Sequence, residues 1–105
     1  MIKVTGIYRW REGATFDHAY YEHEHMRITR EALAPLGLMR LESDRMLHAR
    51  DPGPGQVVAV SHAYFASLPE AQAAVRQAGA MLMADVPRYT NLQPETHFSE
   101  VRTHS

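Results

Sequence analysis

The chain has 105 residues, 45% of them apolar, and no cysteine. That length suits one domain, the apolar share supports a packed core, and the missing thiols exclude disulfides, thiolate metal sites and a cysteine nucleophile. With 11 basic and 12 acidic residues the formal net charge is −1, so nothing favours nucleic acid as a partner, and no run approaches the roughly 20 apolar residues of a membrane span.

The opening Met1-Ile-Lys-Val-Thr-Gly lacks the apolar run of a signal peptide, which with the absent cysteine fits a cytoplasmic protein. Ile2 to Tyr8 reads instead as a strand, with Ile2, Val4 and Tyr8 on one face and Thr5 and Ile7 on the other. Glu12-Gly13 breaks it. Thr15 can cap a helix that carries Asp17 in its first turn, runs to about Leu33, and stops at Pro35 and Gly37. Leu38 to Leu47 is a weaker strand. Asp51-Pro-Gly-Pro-Gly-Gln56 is a hairpin connection: its two prolines lack N–H donors and a strand follows, so it is no phosphate loop. Gln56 to Phe65 is the strongest strand. Ser67-x-x-Glu70 forms a capping box with Pro69 in the first turn, and the helix continues to about Met83 on a stripe of Ala71, Ala74, Val75, Ala78 and Leu82. Asp85-Val-Pro87 ends it, and Glu95 to Arg102 is the last strand.

The order β-α-β-β-α-β in one short chain predicts a ferredoxin-like α+β sandwich, a four-stranded antiparallel sheet with two helices on one face. Alternation in the third strand points Val57, Ala59, Ala63 and Phe65 one way and Val58, Val60 and Tyr64 the other. Both faces then need cover, and two helices cover only one. The expectation is a homodimer whose sheets pack face to face.

Three histidines crowd the segment FDHAYYEHEHMR of the first helix. On a regular helix Tyr21, His25, Ile28 and Ala32 form the apolar stripe, which His18 extends backward and which faces the sheet. His25 is then directed inward. His23 lies about 160° away, beside Arg27 and Arg30, so the two cannot grip one ion. His18, Glu22 and His25 could present three ligands, against a plain solvated helix face for His18 and His23. An inward imidazole with Tyr21 one turn away can move a proton near neutral pH. His62 in the third strand, His97 in the fourth, and Asp85 and Tyr89 just after the second helix are the other polar groups that could meet it.

The segment Trp10-Arg-Glu-Gly13, Phe16-Asp17, Tyr20-Tyr21 and His25, followed later by Ala84-Asp85-Val-Pro87-Arg-Tyr89-Thr90-Asn91 and by Pro94 and Ser99-Glu100-Val101, resembles the EthD family, named for ethyl tert-butyl ether degradation. Where many members have Pro-Leu after His-Met, this chain has Arg27-Ile28, without the proline that would kink the helix. The resemblance implies a dimeric α+β barrel with His25 and Asp85 at the family's matching positions. Relatives of that architecture include cofactor-free monooxygenases, lactone isomerases, polyketide cyclases and haem-degrading enzymes. Three readings follow. One is a cofactor-free oxidoreductase or isomerase on a small apolar cyclic or oxygenated molecule. In it His25 is general acid or base, Tyr21 and Asp85 orient it, Tyr89, His62 and His97 line the substrate, and no metal takes part. The second is a binding or accessory protein without catalysis. The third is a haem or metal protein using His25, His62 or His97.

Overall fold

The computed structural model describes residues 1–105. Its strands are β1 (Ile2–Arg9), β2 (Arg40–Arg45), β3 (Val57–Phe65) and β4 (Glu95–Glu100). The first helical rod begins as α1 (His18–Tyr20), widens into a π-helical stretch over Tyr21–His25, and continues as α2 (Met26–Leu33). The second is α3 (Leu68–Asp85). All strands pair antiparallel in the order β2-β3-β1-β4, the ferredoxin-like arrangement. No helix is long and apolar enough to cross a membrane.

The ends of the elements differ from expectation for local reasons. Asp17, not Thr15, caps the first rod: its carboxylate accepts the Tyr20 N–H at 3.1 Å. The Thr15 N–H goes to Asn91 Oδ1 at 3.0 Å, and the Thr90 hydroxyl donates to the Thr15 carbonyl at 2.7 Å. These bonds fasten the segment before α1 to the segment after α3. Pro35 and Gly37 end the rod as expected, with Gly37 at φ 97° in the left-handed region. Ser67 caps α3 by accepting the Glu70 N–H.

The helices lie on one face of the sheet. Ala71, Ala74 and Ala78 are buried and let α3 approach closely over Leu33, Ala63 and Phe65. A second cluster gathers Tyr8, Tyr21, Val58, Ala59, Val86, Tyr89 and Leu92 near the far end of the rod.

β3 corrects the alternation read from sequence. The register slips between Tyr8, opposite Ala59, and Arg9, opposite Val57, so Val58 is the extra residue of a bulge. Val58 turns into the core beside Ala59 and is only 4% exposed, while Val57 shares a face with Arg9. The outer face therefore carries Ile7, Val60 and Tyr64 among Lys3, Arg40, Glu42, Asp44, His62, Glu95 and His97. Tyr64 is already covered there, with Arg40 over its ring at 4.6 Å and its hydroxyl donating to Glu42. This face is less apolar than the sequence suggested.

Candidate functional site

The π-helical stretch resets the buried line of the rod beyond His25. Five residues over one wide turn place Tyr21, His25, Thr29 and Leu33 on the buried line, in place of the predicted Tyr21, His25, Ile28 and Ala32. The Thr29 hydroxyl donates to the His25 carbonyl one turn back at 2.7 Å.

His25 is 6% exposed and its Nδ1 lies 2.8 Å from Asp85 Oδ2. Asp85 is the last residue of α3, and its other oxygen accepts the Tyr20 hydroxyl at 2.8 Å. Arg88 Nε stands 3.6 Å from the same oxygen. Burial pushes the Asp85 carboxyl up, but hydrogen bonds from His25 and Tyr20 and the nearby Arg88 charge outweigh it and hold the group below its ordinary value. An ionised acceptor at Nδ1 fixes the tautomer with the proton on Nδ1 and the lone pair on Nε2. Tyr21 stacks on the ring at 5.7 Å with 17° between planes, and Tyr89 meets it at 4.7 Å, tilted by 51°. The Tyr89 and Tyr8 hydroxyls hydrogen-bond to each other.

His25 and Tyr8 line a cavity of about 180 Å³ between the helices and the sheet. No Lys, Arg, Asp or Glu lines it, and 12 of its 20 lining residues are apolar, so it suits an uncharged ligand. An engineered apolar cavity of about 150 Å³ admits benzene, so this one matches a substituted single ring. Burial raises the phenols of Tyr8, Tyr21 and Tyr89, which stay O–H donors at neutral pH. His25 is thus the base available to a molecule in this cavity. Two wider hollows of about 410 and 360 Å³ are more open and neither reaches His25.

Of the residues singled out by sequence, His25, Tyr21, Asp85 and Tyr89 come together here. His62 and His97 do not. Both lie on the outer face of the sheet, His62 bonded to Asp44 at 2.8 Å and His97 beside Glu95 at 3.4 Å. The unbroken pairing of Ala59–Phe65 with β1 puts Ser61 on the inner face with Ala59, Ala63 and Phe65, and it is Ser61, not His62, that lines the cavity. His18 packs on Phe16 at 4.6 Å, and burial together with Arg45 lowers its imidazole below the ordinary value. The spacing of His18, Glu22 and His25 does not produce a metal cage, because no three His, Asp or Glu side chains gather to hold an ion. Tyr20 and Arg88 escaped the sequence reading. The paired Tyr20-Tyr21 was a usable signal, since adjacent helical residues cannot both face the sheet and one must reach sideways.

These features define a ferredoxin-like α+β domain with a carboxylate-held histidine on an apolar cavity. Among solved structures, an EthD-like protein from Ralstonia eutropha is 30% identical over 99% of this chain and 94% of its own, with a TM-score of 0.82. The chain belongs to the EthD-like family. An ethyl tert-butyl ether degradation family protein from Bacillus halodurans (18% identity, TM-score 0.63, 97% of this chain and 99% of that one) shares the fold. So does HapK from Hahella chejuensis (14% identity, TM-score 0.62, 100% and 96%). No protein-family model and no curated protein matches the sequence.

Proposed function

We propose that this protein is a cofactor-independent enzyme of the isomerase or oxygenase type, acting on a small, mostly apolar cyclic or oxygenated molecule, with His25 as general base and acid. The single observation that carries the reading is the His25–Asp85 contact of 2.8 Å at the wall of an apolar cavity. Nε2 takes a proton from a C–H beside a carbonyl or from an acidic O–H. The imidazolium that forms is stabilised by the Asp85 carboxylate, which Tyr20 and Arg88 keep ionised. The resulting enolate either recovers the proton at another carbon, which completes an isomerisation, or meets dioxygen as an electron-rich partner. Tyr21 and Tyr89 hold the ring in place and keep bulk water away. The unit at work is a homodimer joined through the outer face of the sheet, in the cytoplasm.

The test is exchange of the α-hydrogens of phenylacetone in D2O, followed by NMR. His25→Ala should slow protein-dependent exchange by about 10²–10⁴-fold, the usual contribution of a positioned base, with ketone binding retained. Equal exchange by the variant, or wild-type protein that binds ketones and exchanges nothing, would leave a binding protein rather than an enzyme.

A further inference from the structure

A row of small and hydroxyl-bearing residues crosses the inner face of the sheet where an apolar core is expected. Ser43 faces Ser61, Ser61 faces Gly6, and Gly6 faces Thr96 across adjacent strands. On either side of this row the same face is apolar, with Val4, Leu41, Ala63 and Phe65 toward one end and Tyr8 and Ala59 toward the other. Ser61, Gly6 and Thr96 line the cavity that His25 also lines. Glycine inside a central strand weakens it and marks a place where another group comes close. At Gly6 that group is the Ser61 hydroxyl: a Cβ there would stand 2.8 Å from Ser61 Oγ. The glycine keeps the hydroxyl where it is.

Beside it lies an unmet donor. Tyr21 is 1% exposed, yet its hydroxyl has no hydrogen-bond partner. The Ser61 hydroxyl stands near enough to oppose slightly the rise in the Tyr21 phenol that burial and Tyr8 cause. A buried hydroxyl left unpaired is destabilising, because it has lost its hydration and gained nothing in return.

We propose that Ser61 is the anchor for the carbonyl oxygen of the substrate. Its hydroxyl donates to that oxygen and accepts from Tyr21, so that Tyr21 Oη–H, Ser61 Oγ–H and the ligand carbonyl form one chain of hydrogen bonds. The ligand holds the Ser61 hydroxyl in the orientation that accepts from Tyr21. The substrate class narrows to uncharged ketones, lactones or quinone-like molecules whose oxygen reaches the sheet while an acidic C–H or O–H meets His25. No covalent step occurs at Ser61; as negative charge grows on the oxygen, the bond strengthens. The proposal rests on His25 as the base, and deepens that reading by assigning the opposite pole of the site.

Phenylacetone and propylbenzene, a matched pair with and without the oxygen, separate the two ideas. Wild-type protein should prefer the ketone in NMR titration. Ser61→Ala should weaken phenylacetone about three- to tenfold, the worth of one net hydrogen bond, and leave propylbenzene unchanged. Ser61→Thr should keep the preference and the isosteric Ser61→Val should lose it, which covers a packing fault in the alanine variant. Tyr21→Phe should reduce the preference less than Ser61→Ala. His25→Ala should leave it whole while slowing exchange about 10²–10⁴-fold; exchange missing in wild type with the preference present would fault the base and not the anchor. Equal preference in wild type, Ser61→Ala and Ser61→Val overturns the proposal, as does wild-type protein that binds propylbenzene as well as the ketone.

Discussion

Asp85 acts on His25 as a buried carboxylate acts on a neighbouring imidazole: it selects the tautomer and favours the charged form should a proton arrive. Asp85 touches no cavity ligand, so it is a positioning residue, and its replacement has two signatures. Asp85→Asn should slow exchange while leaving ketone affinity nearly unchanged, and it should alter the pH profile, because the anion that favours the imidazolium is gone. The second signature is in stability. The Asp85 carboxyl is held below its ordinary value by His25, Tyr20 and Arg88 against the opposing effect of burial. A group depressed on folding contributes stability that is fully present above its unfolded value, about 3.9, and is lost as pH falls through the folded one. Wild-type protein should therefore lose stability on acidification below about pH 4, and Asp85→Asn should show a shallower loss there in thermal melts. An identical acid limb in both proteins would show that the pair carries no linkage. His25, Tyr21, Asp85 and Tyr89 were legible because they sit in two motifs that a close sequence resemblance aligns. Tyr20 was not, because its role depends on reaching past the helix edge to a carboxylate 65 residues later. Ser61 carries no such signal beside His62, because residue type favours the histidine and only the strand register assigns the face.

Among the elements, the two irregular ones matter most to the site and were the least legible. Hydrophobic spacing located each strand and helix, and the Pro-Gly pairs and capping box located their ends to within a few residues. A π-helical turn and a bulge each insert one residue into a regular period, and a single inserted residue leaves a pattern that a slightly different regular element also fits. The first sets the buried line through Tyr21, His25, Thr29 and Leu33; the second turns Val58 into the core beside Ala59 and Tyr8. α3 carries a third irregularity, Gly79, inside its span and on the cavity wall. Glycine in a helix interior costs about 0.5–1 kcal/mol relative to alanine. Nothing near Gly79 demands it: an added Cβ would meet only Val75 Cγ1 at an ordinary 3.9 Å. Gly79→Ala should thus stabilise the protein by about 0.5–1 kcal/mol, read as a rise of a few degrees in melting temperature. The same methyl takes volume from the cavity, so propylbenzene should bind more weakly than ethylbenzene in the variant. A lower melting temperature would mean that the helix there is less regular than described.

For the whole molecule, the outer face of the sheet governs assembly. Ile7 and Val60 sit side by side on its two central strands, half-buried in the single chain, and leaving such side chains wet forfeits up to about 1.5–3 kcal/mol each. That is a smaller excess than the sequence alone suggested, because Val58 has turned inward and Tyr64 is roofed by Arg40. The charges supply the rest of the argument. Arg40 and Lys3 share the row of Tyr64 at one end of the face, and Asp44 and Glu95 share the row of Ile7 and Val60 at the other. A two-fold axis running across the strands lays the basic row of one copy over the acidic row of the other, and Arg40 meets Asp44 twice. An axis along the strands would instead set Asp44 against Glu95. Sedimentation at micromolar concentration should accordingly show a dimer that weakens at 1 M salt, since exposed pairs are screened there. Asp44→Arg should weaken it, and Arg40→Asp combined with Asp44→Arg should restore it, whereas a purely apolar contact would answer to neither. Val60→Asp should give monomers. The His25 cavity opens on the opposite face of the sheet, so those monomers should still exchange the α-hydrogens of phenylacetone at the wild-type rate; a rate that falls with dimer content would mean that the second copy completes the site.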